Sequence, residues 1–357
     1  MKKFLPIIII ILCQTAFAQN QFKQIDSLLS KANGEGKFNG IVLIGNNGTI
    51  DFDKSYGFAN FEKKTAIDIN TQFYIASISK QFTATAILIL VEKGKLEINQ
   101  PISDIVSNFP YENITIHHLL SNTSGIVDYI DYFAEKWNKR KQANTDDVVN
   151  YLIEIKPKTN FEPGVKFEYS NTNYVLLAKI IEIISKESYP SFLENNIFKT
   201  CELNQTYATY KPYFSGQDSN VAFGYVFENE KLIKNENSNV DYIDRVNYLS
   251  GIQGDGSIVT TAFDLFLWHK TIISNKIISE SSKQLMFKQT VLSDGTKSYY
   301  GYGWYTDGQI ADHTGSWPGY QTRIIMNLET GVVGISLKNV EVSYWDWIGE
   351  FDKLIKK

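Results

Sequence analysis

The apolar and polar positions change period several times along the chain, and each change marks an element. An unbroken apolar run covers Phe4 to Leu12. The pattern then turns amphipathic over Gln21–Lys31, which predicts a short helix. Phe38–Gly45 is largely apolar and predicts a strand, Asn46-Asn47-Gly48 predicts a turn, and Thr49–Gly57 predicts the hairpin partner. After Phe82 the residues are good helix formers and apolar on nearly every face, the signature of a helix surrounded by protein. Gly94 then offers the left-handed conformation that ends such a helix.

Further along, Leu96–Ile102 predicts an exposed turn into a short helix ending near Phe109, and Ile114–Ser121 predicts another, capped by Thr115. The stretch from about residue 126 to 200 reads as mostly helical, with helices over Asp146–Ile155 and Asn173–Ser185. Tyr207–Asn239 mixes polar and aromatic residues without a period, which predicts loops and short strands. Ser298–Tyr305, Ile310–Thr314, Tyr320–Leu328 and Val332–Lys338 predict successive strands, and Tyr344–Ile355 a last helix. Strands at both ends with helices between them imply an α/β (α+β) fold. One sheet would be made from both termini, with a helical subdomain inserted at roughly 95–240. No internal repeat or low-complexity linker interrupts this plan.

Composition narrows the setting. The chain of 357 residues is 43% hydrophobic and 21% charged, an ordinary globular balance with ample material for a core. Met1-Lys2-Lys3, the apolar run and Ala16-Phe17-Ala18 read as a secretory signal peptide over residues 1–18, with Gln19 the first residue of a 19–357 domain. The apolar run is too short to span a bilayer comfortably, and Leu12 before Cys13 is too bulky for a lipid-attachment signal. The expected location is therefore secreted or periplasmic, with no integral membrane segment after signal cleavage. Loss of Lys2 and Lys3 takes the formal charge from −4 to −6, and no basic tract suggests nucleic acid as a partner. Cys201 would be the single cysteine after cleavage, so no disulfide forms within one chain.

Three stretches carry candidate chemistry. In Tyr74-Ile75-Ala76-Ser77-Ile78-Ser79-Lys80, Ser77 sits at a helix entrance and Lys80 follows one turn later on the same face. A serine hydroxyl attacks well only when a neighbour takes its proton, and a helix N-terminus adds free N–H groups. Ser77–Lys80 is the only Ser-x-x-Lys in the chain, and its lysine opens a segment too apolar to welcome a charge without a role. The second stretch is Glu162–Tyr174, where Pro163-Gly164 makes a turn and Tyr169-Ser170-Asn171 precedes a helix. Nearby cations would let such a tyrosine accept a proton. Tyr111-Glu112-Asn113 repeats the spacing, so the tripeptide says little by itself. The third is Asp312-His313-Thr314-Gly315-Ser316, a strand end with a cation-capable ring, a hydroxyl and room for close backbone approach. Taken alone, it reads better as a strand followed by a Gly-Pro turn.

Together the three motifs resemble the serine β-lactamase and penicillin-binding-protein superfamily, in particular its class C β-lactamase and D-alanyl-D-alanine carboxypeptidase branch. Flanking segments are similar too: Leu119–Ile126, Pro163–Tyr174 and Gly254–Leu265. The resemblance covers about residues 22–340. It implies a β-lactamase/transpeptidase-like fold, an antiparallel sheet flanked by helices beside a helical subdomain, with the site between them. It also implies that Ser77 forms an acyl-enzyme, that Lys80 and Tyr169 move the proton, and that Asn171 holds the substrate amide and orients Lys80. His313, Thr314 and Gly315 would contact substrate, and the backbone N–H groups of Ser77 and Ser316 would form the oxyanion hole. No cofactor or metal is implied. The partner is a small-molecule or peptide substrate: a D-Ala peptide, a small ester or a β-lactam.

One position departs from the usual pattern. His313 stands where the branch usually has lysine, a permanent cation. A histidine with an ordinary pKa of about 6.5 predicts weaker, pH-dependent carboxylate anchoring and poor β-lactam turnover. Other catalytic designs fit less well. The chain has no Gly-x-Ser-x-Gly elbow, and its four histidines are scattered without carboxylates at ligand spacing. The competing expectation is a non-catalytic or slowly acylated receptor for penicillins or cell-wall peptides. Asp128, Tyr129 and the Tyr207–Asn239 region are expected in the pocket walls.

Overall fold

The computed structural model describes residues 5–210, 220–228, 231–234, 238, 245–342 and 348–356, with side chains from Asn20 onward. Six strands form the main sheet: β1 (Gly40–Asn46), β2 (Thr49–Tyr56), β3 (Tyr305–Thr306), β4 (Ile310–Trp317), β5 (Tyr320–Asn327) and β6 (Val332–Lys338). They pair antiparallel in the order β3-β4-β5-β6-β1-β2, so the two ends of the chain meet where β6 lies beside β1. The β1–β2 hairpin closes through Asn47 and Gly48, both at positive φ (46° and 83°), the two-residue turn whose twist matches that of its strands.

Alternation along the strands divides the core into two layers. Ile41, Leu43, Ile324, Met326, Ile335 and Leu337 face a large cluster that includes Phe82, Trp268 and the helices of the chain's middle. Val42, Ile44, Phe52 and Ile325 face the other way, onto Ile25 and Leu29 of the N-terminal helix and Phe351 and Ile355 of the C-terminal one. The helix Lys80–Glu92 runs through the larger layer with Lys80 to Leu90 all buried. It ends as expected on a Gly94 at φ 65°: Lys95 N–H donates to Leu90 O and Gly94 N–H to Val91 O.

Several expectations need correction at their edges. The N-terminal helix extends from Leu5 to Gly34 rather than over Gln21–Lys31 alone. Residues 298–304 are not a strand: only Tyr305–Thr306 pairs with β4, and Tyr300, Tyr302 and Trp304 before it turn inward as packing while Tyr299 stays exposed. Near Phe109 the chain makes one short 3-10 turn at Ile102–Asp104. Thr115 caps a helix of Ile116–Leu120, and the later helices run Thr145–Ile155 and Asn171–Ser185. A helix at Ala262–Ile273, apolar on most faces, was not marked by any period; it packs Trp268 against Phe82 with ring centroids 4.3 Å apart. Within the predicted last helix, Ile348–Ile355 is helical and residues 343–347 lie outside the described ones. Much of Tyr207–Asn239 is outside them as well, although Tyr225–Glu228 and Lys231–Lys234 pair as a small hairpin. Among the described residues no helix is long and apolar enough to cross a membrane.

Candidate active site

The nucleophile candidate sits on a tight turn fixed from two sides. Ile75 N–H donates to Ile258 O at 3.1 Å, and Thr322 Oγ1 donates to Ile75 O at 2.9 Å. Ala76 follows with φ 47°, a conformation that costs an L-residue energy and that persists only where its surroundings enforce it. Residues Ala76–Ser79 then form a 3-10 turn that runs into the Lys80 helix. Ser77 therefore precedes the α-helix instead of lying within it, yet the three-residue spacing still brings its hydroxyl to Lys80. Gly315 on β4 abuts this turn: a Cβ there would sit 2.1 Å from Ile75 O, so only glycine lets the strand approach.

Lys80 is fully buried, and its ammonium has three donors with three acceptors. Nζ donates to Ser77 Oγ at 3.0 Å, Asn171 Oδ1 at 2.8 Å and the backbone carbonyl of Asp255 at 2.7 Å. Burial pushes the amine down to about 8, against the opposing pull of the Asp255 and Asp128 carboxylates. Asn171 opens its helix, and Asp128 Oδ2 accepts both its backbone N–H (2.9 Å) and its side-chain N–H (2.8 Å). That grip turns the amide oxygen toward Lys80. Asp128 is itself tied down as the cap of the Tyr129–Lys136 helix, where Oδ1 accepts Ile130 N–H at 3.0 Å. Burial raises the Asp128 carboxyl above its ordinary value.

The ring of Tyr169 lies beside the same amine, with Lys80 Nζ 4.9 Å from its centroid. Its hydroxyl is buried and makes no well-formed hydrogen bond. Burial holds the phenol well above 10, although Ser77 stands close enough to favour ionisation. Tyr169 is thus a protonated phenol here. His313 lies 6.0 Å from that ring, centroid to centroid, and is itself buried. Its Nδ1 is 2.7 Å from Thr314 O, and a carbonyl can only accept, so Nδ1 carries the proton. Nε2 consequently accepts from the Tyr300 hydroxyl at 3.2 Å. Burial and the nearby Lys80 push the imidazole down to about 3. The expectation of a partly charged His313 with pH-dependent anchoring near neutrality is therefore corrected: the ring stays neutral because desolvation dominates.

A cavity of about 70 Å³ opens onto Ser77. Ser77, Asn171, Tyr129, Asp255, Ser316 and Trp317 are among its walls, whereas His313 and Thr314 are not. Strand alternation explains the second absence: the exposed Thr314 faces a separate cavity of about 430 Å³ on the outer side of the sheet, with Arg323 and Lys338. His313 faces inward but reaches only the second layer, behind Tyr169. Gly315 contributes close approach, and also borders the outer cavity. Of the expected contacts, Ser77, Lys80, Asn171 and Tyr169 converge, and Ser316 borders both this space and the outer cavity.

Sequence reasoning missed the carboxylate of Asp255. It is buried and accepts from the Tyr129 hydroxyl at 2.9 Å, and burial pushes it up to about 6 with Lys80 opposing. It sits in the Gly254–Leu265 segment, where no spacing rule singles it out. Asp128, expected as a wall, is not one: it stands behind Asn171 and holds that residue's amide. Among the described residues no group of three His, Cys, Asp or Glu side chains is placed to hold a metal ion.

Comparison with known proteins fits this geometry. A sequence profile described as "Beta-lactamase" matches residues 25–352. Penicillin-binding protein 4* of Bacillus subtilis is 35% identical over 331 residues, covering 90% of this chain and 73% of that protein. The crystal structure of a penicillin binding protein from Bacillus halodurans superposes with TM-score 0.77 at 27% identity, covering 92% of this chain and 99% of the other. A D-amino acid amidase from Ochrobactrum anthropi shares the fold at TM-score 0.73 and 21% identity, with 94% and 97% of the two chains covered.

Proposed function

We propose, from the premise that this chain belongs to the β-lactamase family and is a serine hydrolase, that Ser77 is acylated by an amide or ester substrate with Lys80 as its base. The observation that carries this is the 3.0 Å contact between Lys80 Nζ and Ser77 Oγ, made by an amine that burial has brought down to about 8. Two of the three partners of Lys80 are carbonyl oxygens, which can only accept. When the amine is neutral its two hydrogens satisfy those carbonyls, and its lone pair is left facing Ser77. The hydroxyl then donates to nitrogen, which is the arrangement a general base requires.

In the first step Ser77 Oγ bonds to the substrate carbonyl carbon, its proton passes to Lys80, and the carbonyl oxygen takes the negative charge. The backbone N–H groups of Ser77 and Ser316 are the donors proposed for that oxyanion; losing one such donor typically costs about 10²–10³ in rate. Collapse breaks the bond to the leaving group, which takes a proton from Lys80 through the protonated phenol of Tyr169. Water then attacks the acyl carbon and passes one proton to Lys80 along the same path; the bond to Ser77 Oγ breaks, Oγ takes that proton from Lys80, and the acid leaves. Asn171 orients Lys80 and presents its remaining amide hydrogen toward the cavity.

Because His313 is neutral, the strand offers no permanent cation to a substrate carboxylate. Esters and peptides should therefore outperform β-lactams. Export through the residue 1–18 leader belongs to the same proposal, supported by its charged start, apolar run and Ala16-Phe17-Ala18; N-terminal sequencing of secreted protein should begin at Gln19. The deciding experiment is burst kinetics with a chromogenic ester on wild type and Ser77→Ala. Continued release beyond one equivalent, abolished by the substitution, is expected. A single equivalent followed by silence would indicate an acylated receptor, and undiminished turnover in Ser77→Ala would discard the mechanism. Efficient hydrolysis of penicillins or cephalosporins would refute the substrate inference.

A further inference from the structure

The cavity beside Ser77 has one charged side chain among its described walls, and it is an acid. Asp255 shares that space with the nucleophile, Tyr129, Asn171 and Ser316. A buried carboxylate is expensive and is normally paired with a cation. Lys80 does not provide a direct pair: its three hydrogen bonds go to Ser77, the Asn171 amide and the backbone carbonyl of Asp255, not to the carboxylate. It acts on the carboxylate only through space. The carboxylate accepts from neutral groups: the Tyr129 hydroxyl, on Oδ2, and the backbone N–H of Asp255 itself.

The rest of the surroundings lean the same way. A second carboxylate, the half-buried Asp128, lies behind Asn171. With Lys80 protonated and both acids ionised, the three groups sum to one negative charge. His313 adds nothing, since its ring is neutral. Two cations of the sheet, Arg323 and Lys338, border the cavity on the outer side instead, and Arg323 is already bonded to Asp312 and Asp352. A carboxylate entering beside Ser77 would meet repulsion, whereas an ammonium would meet an unneutralised partner in a low-dielectric wall.

We propose that Asp255 is a specificity-determining residue that receives a protonated amine on the acyl side of the substrate, so that the enzyme prefers acyl donors carrying a free amino group, such as small amino-acid amides, over N-acylated or carboxylate-bearing ones. This rests on the Ser77 hydrolase reading. It also connects binding to chemistry. A substrate ammonium at Asp255 offsets part of the carboxylate's field on Lys80, which favours the neutral, proton-accepting amine.

The test uses p-nitroanilides of both alanine enantiomers, each as the free amine, the N-acetyl and the N-succinyl derivative, with p-nitrophenyl butyrate as a neutral reference. Assays are run at pH 7, where an α-amino group of pKa about 7.7–8.0 is mostly protonated. For at least one enantiomer, wild-type kcat/KM should be about tenfold or more higher for the free amine than for the acetyl form, and lowest for the succinyl form. Asp255→Asn should bring the free-to-acetyl ratio to within about threefold, whatever happens to the absolute rates. Equal or better turnover of acetyl or succinyl substrates by wild type overturns the proposal without any variant. So does a ratio unchanged in folded Asp255→Asn, or butyrate turnover with no anilide turnover. Absence of Ser77-dependent turnover of every substrate, butyrate included, is the distinct result that removes the hydrolase reading and this inference with it.

Discussion

Lys80 and Lys338 make an instructive pair. Both are buried, and burial pushes both amines down to about 8. Lys80 is held by three acceptors, one of them a serine hydroxyl, beside two acids. Lys338 ends β6 on the other side of the sheet, donates to Val342 O at 3.2 Å, and borders the roomier cavity with Arg323 and Thr314. A lowered pKa makes an amine available as a base, but only a hydroxyl in range and fixed companions give it something to do. Cavity size misleads in the same way: hydroxyls line the larger space too, but its lysine donates to a backbone carbonyl and not to one of them.

The sharpest way to break this comparison is to remove each amine in turn. Lys80→Met should lower kcat by about 10²–10⁴, the usual worth of a positioned general base, while Lys338→Met should change it less than about threefold in ester assays. Comparable losses in both would mean that geometry does not separate them. Asp128 comes next. Asp128→Ala should lower kcat about 10–100-fold with little change in KM, because a freed Asn171 amide no longer fixes Lys80. Asp128→Asn, whose amide oxygen still accepts, should recover most of that loss; equal damage from both would point to a merely structural role.

Smaller effects follow from charge. The reactive form of Lys80 is unprotonated, so kcat/KM for a neutral ester should rise with pH, with a midpoint near the amine's value of about 8, and flatten above it. Asp255 favours the charged amine, so Asp255→Asn should move that limb to lower pH, whereas Lys338→Met should leave it in place. An upward shift in Asp255→Asn would reverse the assigned sign. The least effect is expected at His313. Its ring is already neutral, so the profile should show no inflection from it between pH 5 and 7.5. His313→Gln should reduce turnover less than about tenfold and cost about 1 kcal/mol in thermal unfolding through the lost Tyr300 hydrogen bond.

The legible parts of the sequence were those governed by local rules. The β1–β2 hairpin announced itself through Asn47-Gly48, the Lys80 helix through its all-round apolarity and Gly94, and the Ser77–Lys80 contact through a three-residue spacing. Aromatic runs were less transparent. Tyr300 read as a strand residue and is not one, while Tyr305 opens β3; both pack around Tyr169 and His313, with centroids of 5.9 and 5.4 Å to the histidine ring. Burial is a tertiary property, which is why His313 was expected to titrate near neutrality and does not. The grip of Asp128 on Asn171 spans 43 residues of chain, beyond any periodicity. Asp255 likewise gains its meaning only from the wall it joins.

The left-handed Ala76 sets robustness against reactivity at one residue. Glycine would occupy φ 47° at ease, and the swap should stabilise the fold by up to about 1 kcal/mol, less the added freedom of the unfolded chain. The same freedom would loosen the pedestal under Ser77, so Ala76→Gly should melt no lower than wild type while turning over more slowly. A variant that is both less stable and equally fast would show that the crimped backbone has no part in aiming the hydroxyl.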